Sequence, residues 1–289
     1  IGSVQIFFAS WYAAFISGNL VDPKKSRKTR KTVWLIFACF FFVQFFLGLI
    51  GLERMLLTGQ LPVPLPAFII FAPIFRESLS MMPLIVLAST LLAGSAWCSM
   101  LCYFGPFDSL AAGKTGVQPY PSWLLVLQRY GRATVLVAGV LLALVLGHTG
   151  LAFSAAVSIA VLFGFFSLLI MVVISRKYQG MVHCTAFCPM GLAANLLGRI
   201  SPWRIRVDRK NCDDCEACEK VCKYSAIDRE SRQLGKTRLQ CSLCRDCIGV
   251  CKNKALYMHL PGLERKVPWQ VFTALVTVLH VLFLSVAMV

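Results

Sequence analysis

The sequence has few charged residues and very few acidic ones, and this scarcity excludes a soluble globular protein. Charged residues make up 15% of the 289 residues, with 13 Asp and Glu against 29 Lys and Arg. Hydrophobic residues make up 57%, and the mean hydropathy is +0.70. Such a composition indicates several membrane spans. The formal charge of +16 is compatible with nucleic acid, a membrane surface or an acidic partner, depending on where the charges lie.

The sequence also lacks an initiating methionine. The chain begins with Ile1, inside an apolar run. We therefore expect an N-terminal portion to precede it, which would carry any signal sequence or leading domain. Residues 4–20 are just long enough for a span or the end of one, so residues 1–21 are predicted to be a partial or complete N-terminal transmembrane segment.

Further apolar runs of spanning length predict a polytopic α-helical membrane protein. After the run at residues 33–52, the segment from Glu53 to Pro83 is interrupted by four prolines, at positions 62, 64, 66 and 73. We predict that this segment is a loop with interfacial or re-entrant backbone rather than one helix. A basic run at residues 22–31 is interpreted either as a solvated linker or as an anchor of the positive-inside type. The predicted spans are residues 33–52, about 83–97, 123–147, 153–175 and 267–289.

The basic residues are distributed unevenly over the predicted topology. If the spans alternate, all Lys and Arg except Arg54 and Arg76 fall on one side of the membrane. The positive-inside rule makes that side the cytoplasm, and it predicts a multi-pass protein of the inner (cytoplasmic) membrane. The charge is then mainly a signal of topology and of contact with lipid headgroups, and the nucleic-acid interpretation loses its support.

Eight of the 13 cysteines form two copies of C-x2-C-x2-C-x3-C, at residues 212–222 and 241–251. This spacing is typical of a ferredoxin with two [4Fe-4S] clusters, in which three cysteines of a loop bind one cluster and the fourth binds the other. Zinc is the alternative, although it does not explain the trailing x3-C. The predicted ligands are Cys212, Cys215, Cys218 and Cys251 for one cluster, and Cys241, Cys244, Cys247 and Cys222 for the second.

The eight-cysteine region is expected to form a small α+β ferredoxin-like domain on the cytoplasmic side, at residues 204–260. Clusters need reduced thiolates, which agrees with that compartment. Lys223 and Lys252 follow the last cysteines of the two copies, where the bacterial pattern has proline. Short strands are predicted at residues 204–207, 226–228, 236–239 and 255–258.

Two C-x3-C pairs form a second constellation: Cys98 with Cys102, and Cys184 with Cys188. Each pair follows a two-span hairpin, so the two segments suggest an internal repeat. Positions i and i+4 of a helix share a face, so each pair can offer two thiols in one direction. The two pairs together make four thiols, which would have to converge to serve one site. Three interpretations remain open: a third cluster, redox-active dithiols, or small buried residues, as we interpret Cys39.

The order of these motifs resembles that of the NapH/NosR-type membrane polyferredoxins, and the CcoG/FixG-type proteins are similar in plan. The segment 184–188 followed by Pro189 matches the family's C-x3-C-P. The first pair departs from it, because Tyr103 follows Cys102 and the proline comes only at Pro106.

The resemblance covers residues 33–259, and it implies electron transfer between the quinone pool and a redox partner, as in a respiratory chain. The NosR-type plan would add FMN only if a flavin domain precedes this chain. The last span is closer to the CcoG/FixG plan, which implies a copper reductase or assembly factor, but no copper-type His/Met cluster is visible. A structural anchor for a redox enzyme complex is the third alternative.

We thus expect a four-span membrane domain at residues 22–203, the ferredoxin-like domain and a C-terminal transmembrane helix at residues 267–289. The expected partners are the bilayer and other redox subunits or a soluble carrier, with quinone as a further ligand. If quinol binds near the proline-broken segment, Glu53, Glu77 and His148 are the candidate proton acceptors. His280 lies near the middle of the last span, where it would either ligate haem or bond to a neighbouring helix.

Overall fold

The computed structural model describes residues 2–51, 64–79, 81–149 and 153–287, and these residues are mostly helical. The membrane part contains α1 (Gly2–Leu20), α2 (Pro23–Leu49), α3 (Phe68–Arg76), α4 (Met81–Ala93), α5 (Gly105–Ala111), α6 (Ser122–His148), α7 (Phe153–Ile170), α8 (Arg176–Tyr178) and α9 (Pro189–Leu197). The eight-cysteine region contains β1 (Arg204–Val207), α10 (Ala217–Val221), α11 (Arg229–Gln233), α12 (Asp246–Val250) and β2 (Leu256–His259). The last helix, α13 (Val267–Ala287), belongs again to the membrane part.

Five helical segments are long and apolar enough to cross a membrane, and the chain is a multi-pass membrane protein. They confirm the five predicted runs to within several residues, apart from the N-terminal end of the first. The apolar part of α1, Ile6–Leu20, is shorter than these segments. The five are Pro23–Leu49, Met81–Leu101, Ser122–His148, Ala155–Tyr178 and Val267–Leu284.

The basic run at residues 22–31 is not a linker, and that interpretation is wrong. Asp22 caps α2 by accepting the Lys24 N–H at 2.9 Å, and Pro23 occupies the first turn. Both residues favour the start of a helix at this point. The run therefore forms the first turns of α2, and the helix begins ten residues before the predicted span.

The proline-broken segment contains a short helix rather than only loop. Its described part, residues 64–79, includes α3 with Pro73 inside it. Helix α3 packs on α6 where Gly139 leaves room for Phe71, since a Cβ at Gly139 would lie 2.3 Å from that ring. Glu53 lies outside the described residues.

Two of the four predicted strands exist. β1 and β2 pair antiparallel, with Ile205 opposite Met258, which confirms the strands at residues 204–207 and, shifted by one, 255–258. The other two predictions are wrong. Asp228 caps α11 through the Ser231 N–H at 2.9 Å, so the chain turns into a helix there. Residues 236–239 contribute only an isolated bridge between Lys236 and Arg206.

One hydrophobic core joins the membrane helices to the eight-cysteine region. The Trp203 ring packs edge-on against Phe272 of α13, with centroids 5.0 Å apart. Its indole N–H donates to the Leu92 carbonyl at 2.9 Å. The predicted domain boundary at residue 203 therefore falls inside a packed contact, which fixes the two parts against each other.

Candidate metal centres

The two C-x3-C pairs come together in space. Cys98, Cys102, Cys184 and Cys188 line one cavity, although the pairs are more than 80 residues apart in the chain. A [4Fe-4S] cluster takes four thiolates, one for each iron. Each pair supplies two, so the donor set fits a cluster only if both pairs contribute.

The local backbone of the two pairs is nearly the same. Each first cysteine lies in a π-helical turn, Trp97–Leu101 or His183–Phe187, and each second cysteine ends that turn with extended backbone, at ψ 118° and 114°. The N–H of each second cysteine bonds to the carbonyl five residues back, at 2.9 Å in both cases. The expectation that each pair shares an α-helical face is thus corrected. The wider turn aims both thiols into the cavity, and such turns occur frequently at functional sites.

The proline that departs from the family pattern does not break this repeat. Pro106 lies in the first turn of α5 and Pro189 in the first turn of α9. Both prolines therefore begin the helix that follows their cysteine pair, which is the position where a fixed φ and a missing N–H cost nothing. A Cβ at Gly105 would lie 2.4 Å from the Trp34 ring, which explains the glycine before Pro106.

A buried carboxylate supports the second pair. Asp108 of α5 accepts the N–H of Cys184 at 3.0 Å through Oδ2. Burial raises the pKa of Asp108 to about 6 and that of the Cys102 thiol to about 12. Burial also raises the pKa of Cys184 well above that of an ordinary thiol. These thiols would stay protonated until a metal centre displaced the proton.

Four of the eight clustered cysteines line a second cavity. These are Cys222, Cys241, Cys244 and Cys247, the set predicted for one of the two clusters. The N–H of Ala226 donates to the Cys222 sulfur at 3.2 Å. Within the part of the chain that the structure describes, no three His, Cys, Asp or Glu side chains are grouped to hold a single metal ion.

The remaining predicted set lies nearest to solvent. Cys215 is exposed, Cys212 and Cys251 are half-buried, and Cys218 is buried. The sulfur of Cys251 accepts the Ala255 N–H at 3.3 Å, in the same relation as Cys222 to Ala226. The two C-x2-C-x2-C-x3-C copies thus repeat in structure as well as in sequence.

The four-thiol cavity and the second cavity share a wall. Tyr224 and Ser242 line both of them. Tyr224 is buried, and its hydroxyl has no hydrogen-bond partner among the described residues. On the other side, α12, which carries Cys247 of the second cavity, packs against α10, which carries Cys218. The three thiol sets therefore form a row from the membrane helices toward solvent.

A buried ion pair, which sequence reasoning missed, joins α2 to the second cysteine loop. Arg30 donates to both carboxylate oxygens of Asp246, at 3.1 and 2.8 Å, and to the Ser99 carbonyl at 3.1 Å. Arg30 is 3% exposed and Asp246 4%. The available signal was periodicity, since Arg30 precedes the buried Trp34 and Phe37 by four and seven residues on one face of α2.

Lys223, where the bacterial pattern has proline, also has a defined role. Its ammonium donates to the carbonyls of Ala112, Thr115 and Gln179 at 3.0, 2.7 and 2.7 Å. Burial lowers its pKa to about 8. The segment after the first cysteine pair and the segment before the second are thereby held against Cys222.

Arg245 connects the second cysteine loop to the last helix. Its guanidinium lies 4.2 Å from the centre of the Trp269 ring and donates to the Thr273 hydroxyl at 2.8 Å. Burial lowers the pKa of Arg245 to about 9. The contact places α13 beside the cysteine loop that Asp246 fixes from the other side.

Two of the three proton-acceptor candidates lie together. His148 Nδ1 is 3.9 Å from Glu77 Oε1, and both side chains are exposed. A cleft of about 380 Å³ between α3, α6 and α7 begins near them, at Arg76, and reaches Phe187. Phe187 directly precedes Cys188, so one end of this apolar cleft lies one residue along the chain from a cysteine of the four-thiol cavity.

His280 is buried, with its ring edge-on to Phe37 at 5.5 Å between centroids. Its Nδ1 has no hydrogen-bond partner among the described residues. The expected bond to a neighbouring helix is therefore absent from the part of the chain described, and the ring instead packs among aromatic side chains, with Tyr12 also at 6.4 Å.

The family model for a 4Fe-4S binding domain matches residues 77–117 and 157–208. Each matched segment contains one C-x3-C pair, and neither contains any of the eight cysteines at residues 212–251. The match therefore associates cluster binding with the pairs whose role the sequence left open.

Three curated relatives share parts of the chain. The ferredoxin-type protein NapH of Haemophilus influenzae is 35% identical over 78 residues, which are 25% of this chain and 27% of the relative. The putative electron transport protein YccM of Escherichia coli is 25% identical over 223 residues, 71% of this chain and 58% of the relative. An uncharacterized protein of Methanocaldococcus jannaschii is 29% identical over 76 residues, 26% and 29% of the two chains. The chain thus spans less than two thirds of each relative, and no solved structure matches it.

Proposed function

We propose, on the premise that the chain is an iron–sulfur electron-transport protein of the NapH-type polyferredoxin family, that it holds three [4Fe-4S] clusters in a row. One observation carries the proposal. Two segments that each match a 4Fe-4S binding domain supply two cysteines apiece, and all four cysteines line one cavity. Only the combined set reaches the four thiolates that a cluster takes.

The arrangement of the thiols supports the following ligand sets. Cys98, Cys102, Cys184 and Cys188 would hold the cluster nearest the membrane helices. The sets from the eight-cysteine region are those predicted from its spacing, Cys222 with Cys241, Cys244 and Cys247, and Cys212 with Cys215, Cys218 and Cys251. When bound, the clusters supply one-electron exchange at potentials that their surroundings set.

The chain's own residues keep these sites close together and dry. Tyr224 and Ser242, both buried, form the wall between the first two sites. The exposed Cys215 marks the end of the row where a soluble partner or another redox subunit would approach. The basic first turns of α2 contact the cysteine region through Arg30, so both lie on one side. By the positive-inside rule that side is the cytoplasmic face of the inner membrane.

The first test is the composition of the purified protein. The full chain, purified anaerobically in detergent, should contain about twelve iron atoms and show three reducible centres in an electron paramagnetic resonance titration. A content of about eight iron atoms would contradict the cluster proposed for the C-x3-C pairs and would leave the other two assignments in place. A colourless, zinc-containing protein would overturn the whole assignment.

Quinol is the electron donor that the apolar cleft favours. The cleft of about 380 Å³ lies within the span region, has mostly apolar walls and reaches Phe187 beside Cys188. A quinol oxidised there would release two protons and two electrons. Glu77, next to the lining residue Arg76, and His148 would accept the protons, and Cys188 follows the lining residue Phe187 at the other end.

His148→Asn is expected to slow the reduction of the protein by a soluble quinol at least about tenfold, since a positioned base contributes at least that much. Reduction by dithionite, which bypasses the cleft, should keep the wild-type rate. His259→Asn in β2 is the matched control, because His259 lies in the cysteine region away from the cleft. Equal rates of reduction by quinol for His148→Asn and His259→Asn would contradict the role of His148 as a proton acceptor.

A further inference from the structure

Arg132 lies in the four-thiol cavity, and the mechanism proposed above does not use it. It belongs to α6, within the span Ser122–His148, and it is only 4% exposed. Its side chain lines the same cavity as the two cysteine pairs. A cationic side chain at this depth in a membrane protein is costly unless an anion accompanies it.

The described residues provide no such anion. No ion pair or hydrogen bond of the Arg132 guanidinium is found among them, and its buried Nε has no partner. The nearest carboxylate to the cysteine pairs, Asp108, already accepts the Cys184 N–H. The other polar side chains around the cavity are neutral, and they are Thr185, Asn195, Tyr224, Gln240 and Ser242.

Two arginines near the other thiol sets are neutralised by carboxylates. Arg30, beside the second set, pairs with Asp246 at 2.8 Å. Arg232, beside Cys218, pairs with Asp214 at 2.9 Å and also with Glu219. Arg245 and Lys223, beside the second set, have no ion pair, but Arg245 lies against the Trp269 ring and bonds to Thr273, and Lys223 bonds to three carbonyls. Among the described residues, Arg132 is the cation that lines the four-thiol cavity, and it has neither an ion pair nor a hydrogen bond.

We propose that Arg132 is the counter-charge of the four-thiolate site and raises its reduction potential. This inference rests on the cluster proposed for the C-x3-C pairs. An oxidised [4Fe-4S] core with four thiolates carries a net charge of about −2, and one electron makes it about −3. A fixed guanidinium interacts more strongly with the more negative state, and it does not lose its proton. Arg132 thus favours the reduced state.

The experiment compares Arg132→Gln and Arg132→Lys with the wild-type full chain. Iron content is measured first, and the midpoint potential of each centre is then determined by electron paramagnetic resonance titration. Arg129→Gln is the matched control, because Arg129 lies one turn earlier on α6 and is exposed. We expect Arg132→Gln to shift one centre to a more negative potential by at least 59 mV, a tenfold change in its one-electron equilibrium. The other two centres of Arg132→Gln should keep their wild-type midpoint potentials. All three centres of Arg132→Lys and of Arg129→Gln should also stay close to the wild-type potentials.

Each result decides a different point. A wild-type protein with only about eight iron atoms contradicts the cluster proposed for the C-x3-C pairs, and the role of Arg132 is overturned with it. Unchanged potentials in Arg132→Gln with full iron content overturn the counter-charge and leave the cluster in place. Loss of about four iron atoms from Arg132→Gln but not from Arg132→Lys supports it, because only the charge is then restored. The same loss from both variants would show a packing role and overturn it.

Discussion

Replacing Cys188 with alanine is expected to lower the iron content of the purified chain from about twelve atoms to about eight. The four cysteines of the C-x3-C pairs line one cavity, so removing any one thiolate deprives a single cluster of a ligand. The centre lost should be the same when Cys98 is replaced instead. Iron analysis together with the number of reducible centres measures the effect.

The double variant makes this test sharper. If both pairs hold one cluster, Cys98→Ala with Cys188→Ala removes no more iron than either single change, because residues that act as a unit are not additive. If each pair belonged to a separate centre, the losses would add. Cys39→Ala is the control. The interpretation of Cys39 as a small buried residue is wrong, because its side chain is exposed on α2, and it lines neither thiol cavity. If the chain is only a structural anchor for a redox enzyme complex, electron transfer by that complex should be unchanged in all of these variants.

Asp246→Ala is expected to destabilise the protein by about 3–5 kcal/mol, because it leaves Arg30 buried without its counter-ion. Both members of the pair are nearly inaccessible, and the carboxylate accepts two of the three hydrogen bonds that the guanidinium makes. Asp246 also lies between Cys244 and Cys247 in the second loop. The measurement is the thermal unfolding midpoint in detergent, followed with iron content so that cluster loss is seen separately.

The matched comparison is an exposed ion pair in the same region. Glu230 and Arg238 are 3.1 Å apart and both exposed, so Glu230→Gln should leave the unfolding midpoint unchanged. The double change Arg30→Met with Asp246→Leu should recover most of the stability lost in Asp246→Ala, since a buried pair can be replaced by apolar side chains of similar volume. An unfolding midpoint of Asp246→Ala equal to that of Glu230→Gln would contradict the importance of the pair.

The thiol sets could be proposed from the sequence because ligand spacing is a local property. Three cysteines within seven residues can reach one cluster whatever the rest of the fold does. From the sequence we could say only that the two C-x3-C pairs would have to lie close together if they bind one cluster. Their π-helical turns depend on a bond between residues five apart, which no apolar period reveals. The failed strand at residues 226–228 shows the converse, since the capping side chain of Asp228 decided the structure there over a β-branched or apolar pattern.

The contacts between distant segments were beyond sequence reasoning. Arg30 and Asp246 are 216 residues apart, and each stands among several residues of like kind. Charge counting assigned the whole basic run to the membrane surface, although one member of it is buried in a pair. What separates Arg30 from Lys28 is its position on the buried face of α2, which becomes meaningful only once the partner of that face is known.

The ammonium of Lys223 has a consequence for how fast such a protein can work. It ties Cys222 to three carbonyls on two separate membrane-proximal segments, and this restrains the eight-cysteine region from swinging relative to the membrane helices. Carriers whose head groups shuttle between docking positions are slowed by viscous solvent. Here the separations between successive thiol sets are built in during folding, so turnover should not depend on the viscosity of the medium until the external partner has to arrive.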